Sequence, residues 1–127
     1  DMNLRGRLTT DTKGHYSFRS IRPASYPIPT DGPVGGMLSA LNWHPNRPAH
    51  IHFIVSAKGF KTVTTQLFIE GDPFLESDAV FAVKDSLVTK IISQETGSGA
   101  DINTHTGLQD LGQIHYDFQL ECSERPV

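Results

Sequence analysis

The 127-residue chain has almost none of what would staple it covalently or draw it to a polyanion. Its single cysteine, Cys122, excludes an internal disulfide framework and any Cys-x-x-Cys zinc site. Cationic residues are outnumbered, 11 Lys and Arg against 14 Asp and Glu, for a net charge of −3. Lys and Arg do not cluster, which argues against nucleic acid or an anionic membrane as the partner. No apolar run approaches the ~20 residues of a membrane span. No charged stretch leading into an apolar one follows Asp1, so no signal peptide is visible and a cytoplasmic location is expected. Internal repeats and low-complexity tracts are absent as well. What is present suffices for a packed core: 37% hydrophobic and 20% charged residues fit one domain over residues 1–127.

Period-2 alternation of apolar and polar residues dominates, and it predicts an all-β chain, a β-sandwich with long loops and at most short helices. Leu4, Gly6 and Leu8 alternate with Arg5 and Arg7, and Thr9 to Gly14 supplies a turn. His15 to Ser20 alternates again, with Tyr16 and Phe18 on one face, so the two segments read as a hairpin with Tyr16 in the core beside Phe18. Pro27, Pro29 and Pro33 argue against helix and central strand between Pro23 and Gly36. One helical turn is expected over Met37–Asn42, strands over His50–Ser56 and Thr62–Ile69, and a short helix capped by Asp78 through Lys84. Further strands are expected over Leu87–Ile92 and Ile114–Leu120, with an exposed loop from Glu95 to Thr106 between them.

Two local features carry chemistry. In Arg47-Pro48-Ala49-His50-Ile51-His52 the two histidines fall on the same face of a strand, about 7 Å apart at Cα. Two neutral imidazoles so placed can grip one metal ion, and imidazole suits Zn, Cu, Fe and Ni; the same pair can also simply face solvent or satisfy core hydrogen bonds. His15, His44, His105 and His115 lack such pairing and are expected at the surface. Tyr26 sits in a proline-locked loop whose stiffness suits a binding site, though a tyrosine there can equally plug the end of a sandwich.

Longer blocks then line up. Gly14-x-Tyr16-x-Phe18-Arg19-Ser20-Ile21-x-Pro23, Tyr26-Pro27-Ile28-Pro29-x-Asp31-Gly32-Pro33-Val34-Gly35 and Arg47-Pro48-Ala49-His50-Ile51-His52-Phe53 closely resemble the intradiol ring-cleavage dioxygenases. Thr64-Thr65-Gln66 and Gly71-Asp72-Pro73-x-Leu75-x-x-Asp78-Ala79-Val80-Phe81 extend the resemblance, which runs in order from about Asn3 to Val88. It implies a non-haem Fe(III) centre held by two tyrosines and two histidines, with Tyr26, His50 and His52 matching three of those four ligands. The other tyrosine of the family lies upstream of the segment matching Asn3-Leu4-Arg5, so the chain reads as an N-terminally incomplete catalytic domain of a homodimeric enzyme. By the same resemblance Arg47 and Gln66 lie beside the bound ring and stabilise charge on it, and Ile28, Pro29, Arg47 and Val80 line the substrate pocket. Taken without it, Arg47 could anchor a loop by a surface ion pair, Gln66 could face solvent, and the other three could be packing.

The activity so implied is cleavage of a small aromatic diol or triol by O2 to a muconate-type diacid. The tyrosine-proline block and Asp78-Ala79-Val80-Phe81 look most like the hydroxyquinol-cleaving branch, whose product is maleylacetate. Thr65-Gln66-Leu67 with Glu70-Gly71-Asp72 leans towards catechol or chlorocatechol cleavage. The rival from another class is a non-catalytic β-sandwich binding module, which would be colourless and bind no iron.

Overall fold

The computed structural model describes residues 3–93 and 112–123. Strand exceeds helix, as the alternation predicts, and among the described residues the only α-helix has eight residues. Strands β1 (Tyr26–Pro27) and β2 (Asn46–Arg47) pair antiparallel, with Tyr26 opposite Arg47. Strands β3 (His50–Val55) and β4 (Val63–Ile69) form the longest ladder, also antiparallel, with His50 opposite Phe68 and His52 opposite Gln66. Their β-branched and aromatic composition favours a pleated, half-buried surface, and Gly59, at φ +84°, supplies the left-handed turn between them. Strand β5 (Val88–Thr89) joins the far edge of β4 in parallel, and β6 (Ile92–Ser93) pairs with β7 (Gly112–Gln113).

The core gathers at the end of β4. Leu67, Phe68 and Ile69 are all buried in succession, together with Leu38, Pro48, Ala49 and Ala79. Three consecutive buried residues mean that both faces of the sheet are covered there. Each large side chain so buried contributes about 1.5–3 kcal/mol. The polar end of β3, where His50 and His52 sit, therefore rests on the best-packed part of the molecule. No helix among the described residues is long and apolar enough to cross a membrane.

Several local expectations are corrected. The proline-rich segment does contain helix: α1 spans Pro33–Ala40 rather than a turn over Met37–Asn42. Pro33 stands at its first position, where the missing N–H has no intrahelical partner to lose and φ is already set. The helix ends in a left-handed Asn42 (φ 51°), with Asn42 N–H on the Ser39 carbonyl and Trp43 N–H on that of Leu38, a Schellman arrangement.

The Leu4–Leu8 and His15–Ser20 segments make their turn but no ladder. The Asp11 carboxylate takes the Lys13 and His15 N–H groups, both at 2.8 Å, and the Asp11 N–H bonds the His15 carbonyl at 2.9 Å, which closes the turn. Tyr16 is 36% exposed, its ring packing on Phe53 and Phe118. Asp78 caps no helix; a short 3-10 turn, Leu75–Ser77, precedes it instead. The Leu87–Ile92 strand divides, β5 following a 3-10 turn at Asp85–Leu87 and β6 beginning at Ile92. Ile114, Tyr116, Phe118 and Leu120 are half-buried and their neighbours exposed, as alternation predicts, yet they form no ladder. Alternation reports which face is covered; a ladder also needs a backbone about 4.8 Å away. The expected loop from Glu95 to Thr106, with His105, lies outside the described residues.

Candidate functional site

The β1–β2 pair and the start of β3 converge on one spot. Because Tyr26 pairs with Arg47, its phenol is carried to the segment Arg47-Pro48-Ala49 that leads into β3. The Tyr26 hydroxyl lies 3.5 Å from His50 Nε2, and the two ring centroids are 5.5 Å apart. His52, two residues on and therefore on the same face, brings its ring to 4.9 Å from that of His50. Tyr26 is half exposed and His52 exposed, so the cluster is open to a small molecule.

His50 is oriented by the backbone. Its Nδ1 lies 2.7 Å from the Pro48 carbonyl, which can only accept, so Nδ1 carries the hydrogen and Nε2 presents a lone pair. A backbone carbonyl on one ring nitrogen is the usual way a protein fixes the tautomer of a metal-binding histidine. Burial pushes His50 below the ordinary histidine range; the Pro48 carbonyl opposes this, while the Arg47 charge and His52 add to it. Neutral imidazole is the ligand form. No group of three His, Cys, Asp or Glu side chains forms among the described residues, so a protein donor set of three here has to include Tyr26. One phenol oxygen and two imidazoles suit a hard trivalent iron better than a thiophilic metal, and the donor set fits Fe(III).

Arg47 is 6% exposed, and its ion pair is buried rather than on the surface. Asp78, 3% exposed, accepts from Nε at 3.0 Å and from Nη2 at 3.3 Å. Nη2 also donates to Gln66 Oε1 at 2.8 Å, and Nη1 lies 3.4 Å from His50 Nε2. Gln66, directly opposite His52 in the ladder, is thus turned to the cluster and not to solvent. Val80 is 43% exposed and joined to the cluster through its N–H on Asp78 Oδ1, at 3.3 Å. Ile28 is half-buried and Pro29 exposed; both directly follow β1, with the Ile28 N–H on the Pro45 carbonyl. An open cavity of about 600 Å³ between α1 and Trp43-His44-Pro45 contains none of these residues.

Sequence reasoning missed two residues. Asp78 was expected as a helix cap; a buried arginine needs a carboxylate, and that requirement was the available signal. His44 was expected at the surface but is half-buried, with Nδ1 accepting from Asn46 N–H at 3.1 Å and Nε2 2.9 Å from Ser77 Oγ. His15 and His115 are exposed as expected.

A family model described as "Dioxygenase" matches residues 1–122. The chain is 56% identical over 127 residues to a hydroxyquinol 1,2-dioxygenase of Rhizobium sp. (strain MTP-10005), covering 94% of this chain and 40% of that protein. It is 42% identical over 118 residues to an intradiol ring-cleavage dioxygenase of Aspergillus niger, covering 92% of this chain and 35% of that one. The crystal structure of hydroxyquinol 1,2-dioxygenase from Pseudomonas putida DLL-E4 superposes with a TM-score of 0.80 at 42% identity, over 95% of this chain and 42% of the other. The chain thus spans about two-fifths of the length of these relatives. Their fold is the β-sandwich class expected from the alternation. With its motif blocks, its fold and a family match over nearly all its length, the chain belongs to the intradiol ring-cleavage dioxygenase family.

Proposed function

We propose that the complete protein cleaves a catechol-type ring between its two hydroxyl-bearing carbons, inserting both atoms of O2 to give a muconate-type diacid. Hydroxyquinol is the preferred substrate and maleylacetate its product. The observation that carries this reading is the convergence of the Tyr26 hydroxyl, His50 Nε2 and the His52 ring, with a buried guanidinium beside them. Tyr26, His50 and His52 would hold the iron. The chemistry Fe(III) supplies when bound is Lewis-acid activation of the diol ring towards O2.

The chain's own residues supply the rest. The Pro48 carbonyl keeps the proton on His50 Nδ1 and the lone pair of Nε2 aimed at the shared centre. Arg47, its Nε and Nη2 edges occupied by Asp78 and Gln66, turns Nη1 towards the same centre. A fixed guanidinium there stabilises negative charge that grows on the ring as it reacts, and does so in a partly desolvated site where the effect is larger than in water. Val80, Ile28 and Pro29 offer apolar surface for the ring's flat face and exclude water. The complete protein is a homodimer in this reading.

The test is O2 consumption by the complete, iron-loaded protein with hydroxyquinol and with catechol, and product identification by mass. Hydroxyquinol turnover faster than that of catechol is expected. Ring opening beside a hydroxyl rather than between two, or no O2 uptake with either compound, contradicts the reading.

A further inference from the structure

We propose that Asp78 is a positioning residue that sets the Arg47 guanidinium and the Val80–Ala82 backbone as one unit beside the ring-binding face. This rests on the ring-cleavage reading above. Each Asp78 oxygen accepts one bond from Arg47 and one from the backbone: Oδ1 takes Nε (3.0 Å) and the Val80 N–H (3.3 Å), Oδ2 takes Nη2 (3.3 Å) and the Ala82 N–H (2.9 Å). One carboxylate, 3% exposed, therefore fixes a cation and a loop together.

The consequence for Arg47 is directional. Asp78 holds Nε and Nη2, Gln66 takes a second bond from Nη2, and the edge left facing His50 Nε2 is Nη1 at 3.4 Å. A planar guanidinium clamped on one edge has its other edge aimed, which a freely rotating cation would not.

The consequence for the loop is conformational. Phe81 has φ 54°, a left-handed backbone that a residue with a bulky side chain rarely adopts. It is held there by its N–H on the Asp78 carbonyl at 3.0 Å, and its two neighbours are held by the Asp78 carboxylate. The Ala79 N–H, on the Asn46 carbonyl at 3.2 Å, ties the same loop to β2 next to Arg47. Strain kept by surrounding bonds beside a reactive cluster is a recognised mark of a positioned site. Val80 and Phe81 are 43% and 75% exposed, the Phe81 ring lying 5.8 Å from that of Trp43.

The experiment is a double-mutant cycle in the complete, iron-loaded protein: Asp78→Asn, Arg47→Lys and both together, with kcat, KM and iron content for each. Asp78→Asn is expected to keep its iron, hold KM within about threefold and lose at least about tenfold in kcat. Added to Arg47→Lys it should cost less than about threefold more, because the group it positions is already gone. Losses that multiply, or a loss of stability with kcat per iron-loaded chain within about twofold of the parent, overturn the proposal. Asp78→Glu keeps the charge on a longer arm and serves if Asp78→Asn does not fold; parental kcat in Asp78→Glu overturns the proposal too. A crystal structure of either variant reads the geometry without turnover: Nη1 should swing away from His50, and an unmoved guanidinium contradicts the inference. Failure of the ring-cleavage reading looks different, since the parent itself then opens no ring or Arg47→Lys keeps parental kcat.

Discussion

Tyr26 and Arg47 face each other across a ladder only two residues long, and that register brings a phenol and a guanidinium to the same nitrogen of His50, at 3.5 and 3.4 Å. The two side chains are held very differently. Tyr26 is 46% exposed, whereas Arg47 is buried against Asp78.

The fixed charge gives the first prediction. In the complete protein, Arg47→Lys retains iron and its colour but loses at least about tenfold in kcat, because removing one preorganised donor typically costs about 10²–10³. Lysine keeps the charge but cannot reproduce a fork held on one edge. Turnover within a factor of two of the parent would return Arg47 to a purely structural role.

Acid stability follows from Asp78. Burial pushes its carboxyl up, but the Arg47 bonds, the Ala82 and Val80 N–H groups and the Arg47 charge together hold it below the ordinary carboxylate range. A group depressed in the folded state contributes stability that is complete above its unfolded value and is lost as pH falls through the folded one. Urea unfolding should therefore show stability falling below about pH 4. Asp78→Asn should cost ~3–5 kcal/mol at neutral pH, since it strands a buried cation, and should show a shallower acid dependence. Parental stability of that variant at pH 7 contradicts the buried pairing.

Much of this was legible in the sequence, and the omissions have physical causes. The β3–β4 ladder was readable because β-branched and aromatic residues crowd two segments joined by Lys58-Gly59, and the pairing of His50 with His52 follows from strand period alone. The α1 helix was hidden by Pro33, a helix breaker everywhere except at the first position it occupies. Asp78 was hidden because its partner lies 31 residues away, and no local pattern reports a buried ion pair. Phe118 shows the converse: its alternation corresponds to a half-covered face, but the cover comes from rings packed on one another and not from a strand ladder, while Tyr16 packs on the same rings and stays exposed.

Gly35 gives a prediction opposite to helix propensity. It is buried in α1, and a Cβ there would overlap the Thr30 carbonyl oxygen, a backbone atom that cannot swing aside. Glycine to alanine inside a helix ordinarily gains about 1 kcal/mol. Gly35→Ala should instead destabilise by about 1–3 kcal/mol through overpacking. A rise in the midpoint of denaturant unfolding is the result that does not fit.

Phe68 supports the site from below. It is fully buried, stands opposite His50 in the ladder, and its ring lies 5.8 Å from the imidazole. Phe68→Ala is expected to cost ~3–5 kcal/mol in equilibrium unfolding. A cost below about 1 kcal/mol would mean that the floor of the site is not this core.

The most direct test of the metal assignment is the iron content of the complete protein compared with its His50→Ala variant, measured together with the visible spectrum. The parent should carry iron and be reddish, because phenolate-to-Fe(III) charge transfer absorbs visible light, and His50→Ala should lose both metal and colour while staying folded. Unchanged iron content and an unchanged spectrum in His50→Ala would contradict the assignment of Tyr26, His50 and His52 as the ligands.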